Sequence, residues 1–235
     1  MIKSARRPLT LALSSLLLTA TSSAMAFDLS VGAKAGTLGY GLDASIPVSE
    51  KISLRGGFSQ FSFNYNDSIT GSDSVNGANV SSSATYETTF DFNTVALLAD
   101  YHPFHSGFRL TGGAMLNKNE FRGHAVAGDQ TIEIGNYTST QGADLKADVK
   151  VSFPTTAPYL GFGYDSSAYG KSSFSFTYDL GVLFQGEPTA AVALSGADAN
   201  QVPQADVDRE VAKINDTLSV FNVYPVLNVG MSYRF

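Results

Sequence analysis

The sequence contains no cysteine, only three histidines, and charged side chains at 15% of its 235 positions. Without cysteine there is no disulfide, no thiolate zinc site, no cysteine nucleophile and no acylated lipoprotein anchor. Long apolar runs are also missing. A helical membrane protein gathers apolar residues into spans of about 20, whereas here they are dispersed and the mean hydropathy is +0.01. Positive charge is scarce, with 15 Lys and Arg against 21 Asp and Glu and a net charge of −6. No basic stripe exists, which excludes nucleic acid as a partner. What the chain does have is glycine (22), phenylalanine (16) and tyrosine (11). One all-β barrel fits this length and composition.

The first 26 residues read as a secretory signal peptide. Lys3, Arg6 and Arg7 give a positive start, residues 9–18 are mostly apolar, and Ala24-Met25-Ala26 is a small-x-small cleavage site marked by Ala24 and Ala26. The apolar run is too short to span a bilayer. The domain expectation is therefore a cleaved signal over residues 1–26 and a barrel over 27–235. The mature chain keeps 12 Lys and Arg against 21 Asp and Glu.

Period-two alternation dominates the remainder. Phe174, Phe176, Tyr178, Leu180, Val182 and Phe184 share one parity, against Ser175, Thr177, Asp179 and Gly181 on the other. The end of the chain repeats this, with Val223, Leu227, Val229, Met231, Tyr233 and Phe235 on one face. Six further segments, at 28–35, 39–47, 51–65, 88–101, 108–121 and 153–165, bring the expected strand total to eight. In the third of them the apolar parity changes at Phe61, Phe63 and Tyr65, which predicts either a bulge or an aromatic rim at a barrel mouth. The connections at 48–50, 102–107 and 166–172 are short. Those at 66–87, 122–152 and 186–221 are long and rich in Gly, Ser, Asn and Asp. This asymmetry suits a bacterial barrel with short periplasmic turns and long outer loops. The first outer connection, near Gly36-Thr37, must then be a tight hairpin. Val207, Val211, Ile214 and Leu218 recur at helical spacing and predict one short helix in the last loop.

The fold class is accordingly all-β, an eight-stranded antiparallel up-and-down transmembrane barrel. Only closure satisfies every backbone amide in lipid, and eight strands leave an interior that side chains can fill. The inward parity carries Lys34, Asp43, Arg55, Asp100, Arg109 and Asp179, three charges of each sign. Asp100 and Arg109 flank one short turn. Buried charges need partners, so a polar interior plugged by ion pairs is expected, and a charge-lined pore is the alternative.

The last nine residues, Leu227-Asn228-Val229-Gly230-Met231-Ser232-Tyr233-Arg234-Phe235, resemble the outer-membrane assembly signal, which ends in an aromatic residue after alternate apolar positions. That likeness implies that Leu227, Val229, Met231, Tyr233 and Phe235 are read by the barrel-assembly machinery. By layout the mature chain resembles the OmpA/OmpX-like class of small barrels. The segments Tyr101-His102-Pro103-Phe104, Gly107-Phe108-Arg109-Leu110 and Val223-Tyr224-Pro225-Val226-Leu227 are similar to a group of proteobacterial outer-membrane proteins. The resemblance implies a fold and a location, with both termini periplasmic, and no activity.

Some small barrels are lipid-modifying enzymes or proteases, which need a His or carboxylate constellation near the rim. His102 and His105 fall in a predicted periplasmic turn and His124 at the start of a long loop, and no Ser–His–acid pattern links them. Asp67, Asp73 and Asp91 lack the spacing of a calcium loop. The Gly pairs at 56–57 and 112–113 lie within strands, where close packing is the expected role. No catalytic, cofactor or metal residue is expected. The functional expectation is a non-enzymatic anchor or surface-interaction protein. Its partners would be outer-membrane lipids and lipopolysaccharide, the assembly machinery, and an extracellular ligand at the loops. A narrow porin-like channel is the second reading and a lipid-modifying enzyme the third.

Overall fold

A computed structural model describes residues 28–75, 78–126, 131, 133–140, 142–169 and 172–235. The segment expected to be a signal peptide, with Ala24 and Ala26, lies outside the described residues. In chain order the elements are β1 (Ser30–Gly36), β2 (Gly39–Pro47), β3 (Ile52–Val75), β4 (Ala78–Tyr101), β5 (Phe108–Asn117), β6 (Glu120–Val126), β7 (Glu133–Ile134), β8 (Tyr137–Thr138), β9 (Lys146–Ser152), β10 (Thr156–Asp165), β11 (Phe174–Phe184), β12 (Thr189–Ser195), α1 (Gln204–Leu218) and β13 (Val223–Arg234).

Eight of these strands, in the order β1-β2-β3-β4-β5-β10-β11-β13, close into an antiparallel transmembrane barrel through the β13–β1 and β4–β5 pairings. The alternation explains the choice. Each barrel strand sets large apolar side chains outward, a continuous apolar exterior that a two-layer soluble sheet could not hide. Leu97 (68% exposed), Phe176 (62%) and Leu42 (61%) stand on the outer surface of a barrel whose interior is packed. A continuous apolar exterior on this scale is a membrane surface. Among the described residues no helix is long and apolar enough to cross a membrane.

The β1–β2 hairpin turns on Thr37 and Leu38, between paired Gly36 and Gly39. Gly39 has φ of +95°, a conformation that side chains with a Cβ strongly disfavour. Thr37 ties this turn to β13. Its amide donates to the Leu227 carbonyl at 2.9 Å, and its carbonyl accepts the Tyr224 hydroxyl at 2.8 Å.

Beyond the barrel, the long outer connections carry regular structure. β3 and β4 pair without interruption from Ile52↔Tyr101 to Val75↔Ala78. β6 continues β5 along β4 in unchanged register, Leu116 facing Val95 and Glu120 facing Asp91. The Lys118 amide, donating to the Asn93 carbonyl at 2.9 Å, bridges the gap between them. β9 continues β10 in the same way, Thr156 facing Leu116 and Ser152 facing Glu120. β12 completes the set beside β9. One side of the barrel thus rises past the rim as a wall of sheet, in the order β12-β9-β6-β4-β3.

Helix α1 forms where helical spacing predicts it. It packs Val207 into a second core with Val202, Leu145, Ala143 and Ile134, against Val192 and Leu194 of β12. The carboxamide oxygen of Asn215 accepts the Ala190 amide at 2.8 Å, capping part of the β12 edge. The β7–β8 hairpin joins the helix through the Asn136 amide, which donates to Asp206 at 3.0 Å.

The uninterrupted β3–β4 register excludes a bulge at Phe61, Phe63 and Tyr65. The strand parity is constant and the chemistry of the two faces changes. Below Gln60 the outward residues are apolar (Ile52, Leu54, Phe58). Above it they are polar (Ser62, Asn64), and the aromatics lie on the face that continues the lumen. The same exchange occurs on β4 between Val95 and Asp91. The aromatic rim is the feature present.

Candidate functional site

The barrel lumen holds the six charges singled out by parity, and the structure brings them together in one layer near the end with the short turns. Arg55 is the centre. Its Nη1 donates to Asp179 Oδ2 at 2.9 Å, its Nη2 donates to Asp100 Oδ1 at 3.0 Å, and its Nε lies 2.9 Å from Asp100 Oδ2. Arg109 Nη2 donates to Asp179 Oδ1 at 2.8 Å, and its Nε lies 3.6 Å from Asp100 across the turn. The Thr111 hydroxyl donates to Asp100 Oδ1 at 2.6 Å. Lys34 donates to Asp43 at 2.7 Å, and Asp43 lies 4.0 Å from Arg55 Nη1. Five strands on opposite sides of the barrel contribute to the Arg55–Asp100–Arg109–Asp179–Asp43 cluster, so the network spans the lumen. Room for it depends on Gly57, where a Cβ would sit 2.0 Å from Asp43 Oδ1.

Arg55, Asp100, Arg109 and Asp179 are all buried. Breaking such a pair leaves a buried charge without compensation, which is strongly destabilising. The network is therefore held in one arrangement by the cost of any other.

The lumen is not polar throughout. Immediately outward of the charges lies an apolar layer of Leu98, Met115, Tyr159, Leu183 and Val226, lined by Ala96 and Ala157. Leu38, at the tip of the β1–β2 turn, is 2% exposed and folds into this layer from the mouth. Phe92 and Tyr224 pack on its outer side. Alternation predicts a polar inward face, and the difference has a simple reason. A lumen that side chains fill is a core rather than a channel, and apolar packing satisfies it wherever polar partners run out. Leu98, Met115, Tyr159, Leu183 and Val226 all stand off the apolar parity of their strands. Leu38 sits in a turn, outside any parity, and no sequence signal marks it.

On the other side of the charges is a polar vestibule of about 170 Å³ that opens at the short-turn end, with Asp43, Arg55, Asp100, His102, Asp165 and Tyr169 among its lining. His102 and His105 both lie against the Tyr169 ring, at 5.9 and 5.5 Å between centroids. Burial holds the His102 imidazole below its ordinary pKa. His124 is remote from both. It lies on the outer wall with Nδ1 2.6 Å from Asp148.

Above the mouth the inner face of the wall is aromatic. Phe63 stacks on Phe90 at 6.5 Å, Phe90 meets Phe121 edge-on at 5.1 Å, and Phe121 also meets Phe92 and Phe153 at 5.7 and 5.5 Å. Leu227, Val229, Met231, Tyr233 and Phe235 all point outward from β13, and the last two rings touch edge-to-face at 5.0 Å. Asp91 accepts from the Ser62 hydroxyl at 2.6 Å, and Asp67 accepts from the Tyr65 hydroxyl at 3.2 Å. The side chain of Asp73 lies outside the described residues. Among the described residues no group of His, Asp or Glu is arranged to hold a metal ion.

No family model matches the chain, and no curated protein matches it. Several solved structures do, two of them from Acinetobacter baumannii. Acinetobacter baumannii CarO2 is similar over 89% of this chain and 99% of its own, with a TM-score of 0.55 and 20% identity. Acinetobacter baumannii CarO is similar over 91% of this chain and 100% of its own, with a TM-score of 0.53 and 24% identity. The likeness extends over almost the whole of both molecules, outer wall included in the span, and what it shows is the fold: a closed eight-stranded barrel of the outer-membrane type.

Proposed function

We propose that this protein is a non-enzymatic integral barrel of the bacterial outer membrane. In this reading it is a rigid anchor with a sealed lumen that holds a folded wall above the outer leaflet for contact with lipopolysaccharide and external surfaces. The observation that carries the reading is the double seal. Arg55, Asp100, Arg109 and Asp179 close one layer, and Leu38, Leu98, Met115, Leu183 and Val226 close the next. A hydrated path would have to cross both. The short turns beside the termini support a periplasmic location for both chain ends. The outward apolar and aromatic residues of β13 support recognition of that strand during barrel assembly.

The polar vestibule favours a second reading, a narrow channel gated at the charged layer, since solute could enter it as far as Arg55. Single-channel recording on the refolded mature chain in a planar bilayer separates the two. Silence from protein shown to be inserted and folded is the expected result. Discrete charge-selective openings that change with Arg55→Gln or Asp100→Asn would replace the anchor reading with the channel.

A further inference from the structure

The outward face of the wall is the direct upward extension of the barrel's lipid-facing surface, because the strand parity does not change at the rim. On β4 the apolar girdle ends at Val95, and on β5 at Leu116, its register partner. One outward position higher is Lys118, exposed beside Asn93. Higher again come Glu120 opposite Asp91, then Arg122 flanked by Thr89 and Lys150. Of the twelve Lys and Arg that follow residue 26, four (Lys118, Arg122, Lys146 and Lys150) belong to this one sheet face. The same face curves into a shallow hollow lined by Glu87, Thr89, Arg122, His124, Asp148 and Lys150.

Arg122 and Lys150 are directly opposed across the β6–β9 ladder. Like charges in that relation repel. Both heads turn down toward the girdle to meet Glu120, Lys150 Nζ at 2.5 Å and Arg122 through Nη2, while Arg122 Nη1 lies 3.5 Å from Asp91. Their side chains are 59% and 54% exposed, so water screens these pairs and leaves N–H donors facing outward. Glu120 stands four residues beyond Leu116, about 13 Å along a strand. With the usual barrel tilt that is roughly 10 Å above the hydrocarbon edge, a few Å beyond a headgroup layer about 5–8 Å deep. Lys118, two residues beyond Leu116, lies roughly 5 Å above that edge and within the layer, the Arg122 and Lys150 heads turn down toward it from above, and a guanidinium with two ammonium groups suits a phosphate.

We propose that Lys118, Arg122 and Lys150 form a docking site for the phosphorylated headgroup of an outer-leaflet glycolipid, with Glu120 as the internal carboxylate that occupies the cations when the lipid is absent. The occupant follows from continuity with the lipid-facing girdle. The inference rests on the outer-membrane reading given above.

The test is native mass spectrometry of the refolded mature chain released from micelles carrying bisphosphorylated lipid A or its dephosphorylated form. Heat-shifted mobility on gels reports separately whether each variant has folded and inserted, so a failure of the membrane reading is distinguishable from a failure of the site. The expected result is a retained adduct with the phosphorylated lipid alone. It should weaken about tenfold in Arg122→Gln/Lys150→Gln, since a hydrogen bond to a charged group contributes at least that much. Lys213→Gln, on α1, should leave it unchanged, and Glu120→Gln should strengthen it severalfold by freeing both cations. Equal retention by the double variant, equal loss in Lys213→Gln, or retention of dephosphorylated lipid would overturn the proposal. Should the double variant fail to fold, Lys118→Gln and Glu120→Gln, at exposed and rim positions, give the same opposite signs.

Discussion

The two halves of β4 are one strand in two environments. From Val95 to Tyr101 its outward residues are Val95, Leu97, Ala99 and Tyr101, and its inward residues are Ala96, Leu98 and Asp100. From Tyr86 to Phe92 the faces exchange chemistry. Glu87, Thr89 and Asp91 point outward, and Tyr86, Phe90 and Phe92 point to the inner side. The backbone hydrogen bonds, register and pleat are the same in both halves. What differs is the medium outside the sheet. Lipid rewards an apolar exterior below the rim, and water rewards a polar one above it, so the apolar residues move to the face where Phe121, Phe153 and Tyr224 can cover them. The point of exchange marks the edge of the hydrocarbon on each strand.

The largest test removes what both halves share, the seal beneath the mouth. Arg55→Ala leaves Asp100 and Asp179 buried without their main partner and should cost about 3–5 kcal/mol in urea unfolding. A loss below about 1 kcal/mol would mean that water already reaches the charged layer.

Leu97→Arg then probes the membrane half alone. A cation on the lipid face near mid-depth should cost about 2–4 kcal/mol in vesicles. Asn64→Arg, on the same outward face of the neighbouring β3 above the rim and opposite the uncharged Thr89, should stay within about 0.5 kcal/mol. Equal costs at the two sites would refute the assigned boundary.

Phe121→Ala addresses the wall. The ring is half-buried among Phe90, Phe92 and Phe153, so roughly 2 kcal/mol should be lost. Faster amide exchange should be confined to β6 and β9, with the barrel strands unaffected.

The smallest effect is with pH. The hydrogen bond from Lys150 is the main influence holding the Glu120 carboxyl below its ordinary pKa, with Arg122 adding to it. A carboxylate with a depressed folded-state pKa contributes stability that is present above its unfolded pKa and is lost as pH falls through the folded one. Amide protection in β6 and β9, taken relative to the intrinsic exchange rate at each pH, should therefore fall slightly on acidification below the carboxylate range, and Glu120→Gln should remove that dependence.

Much of this was legible in residue order. The closed barrel, its eight strands and the six lumen charges follow from parity, because a pleated strand alternates faces whatever its neighbours are. The helix follows from Val207, Val211, Ile214 and Leu218 at a 3.6-residue repeat. The outer wall was harder to see. β6, β9 and β12 are short and carry few large apolar residues, so they read as loop, and they become strands because β4 offers β6 an edge above the rim, β6 offers one to β9, and β9 to β12. The apparent slip at Phe61 has the same origin. Parity read without knowing where the membrane stops cannot distinguish a bulge from a change of solvent.

The sequence by itself determined that the chain crosses a membrane with strands, since a backbone in lipid must close on itself and only this alternation supplies an apolar exterior. It also determined which charges face inward. The tertiary structure alone decided that those charges meet in one layer, because Arg55 and Asp179 are 124 residues apart and only barrel closure sets them within 2.9 Å. It alone decided that Leu38 packs into the mouth of the lumen and that Arg122 and Lys150 stand side by side on the wall. Those three outcomes depend on register between distant strands, which closure of the whole barrel fixes and no local pattern encodes.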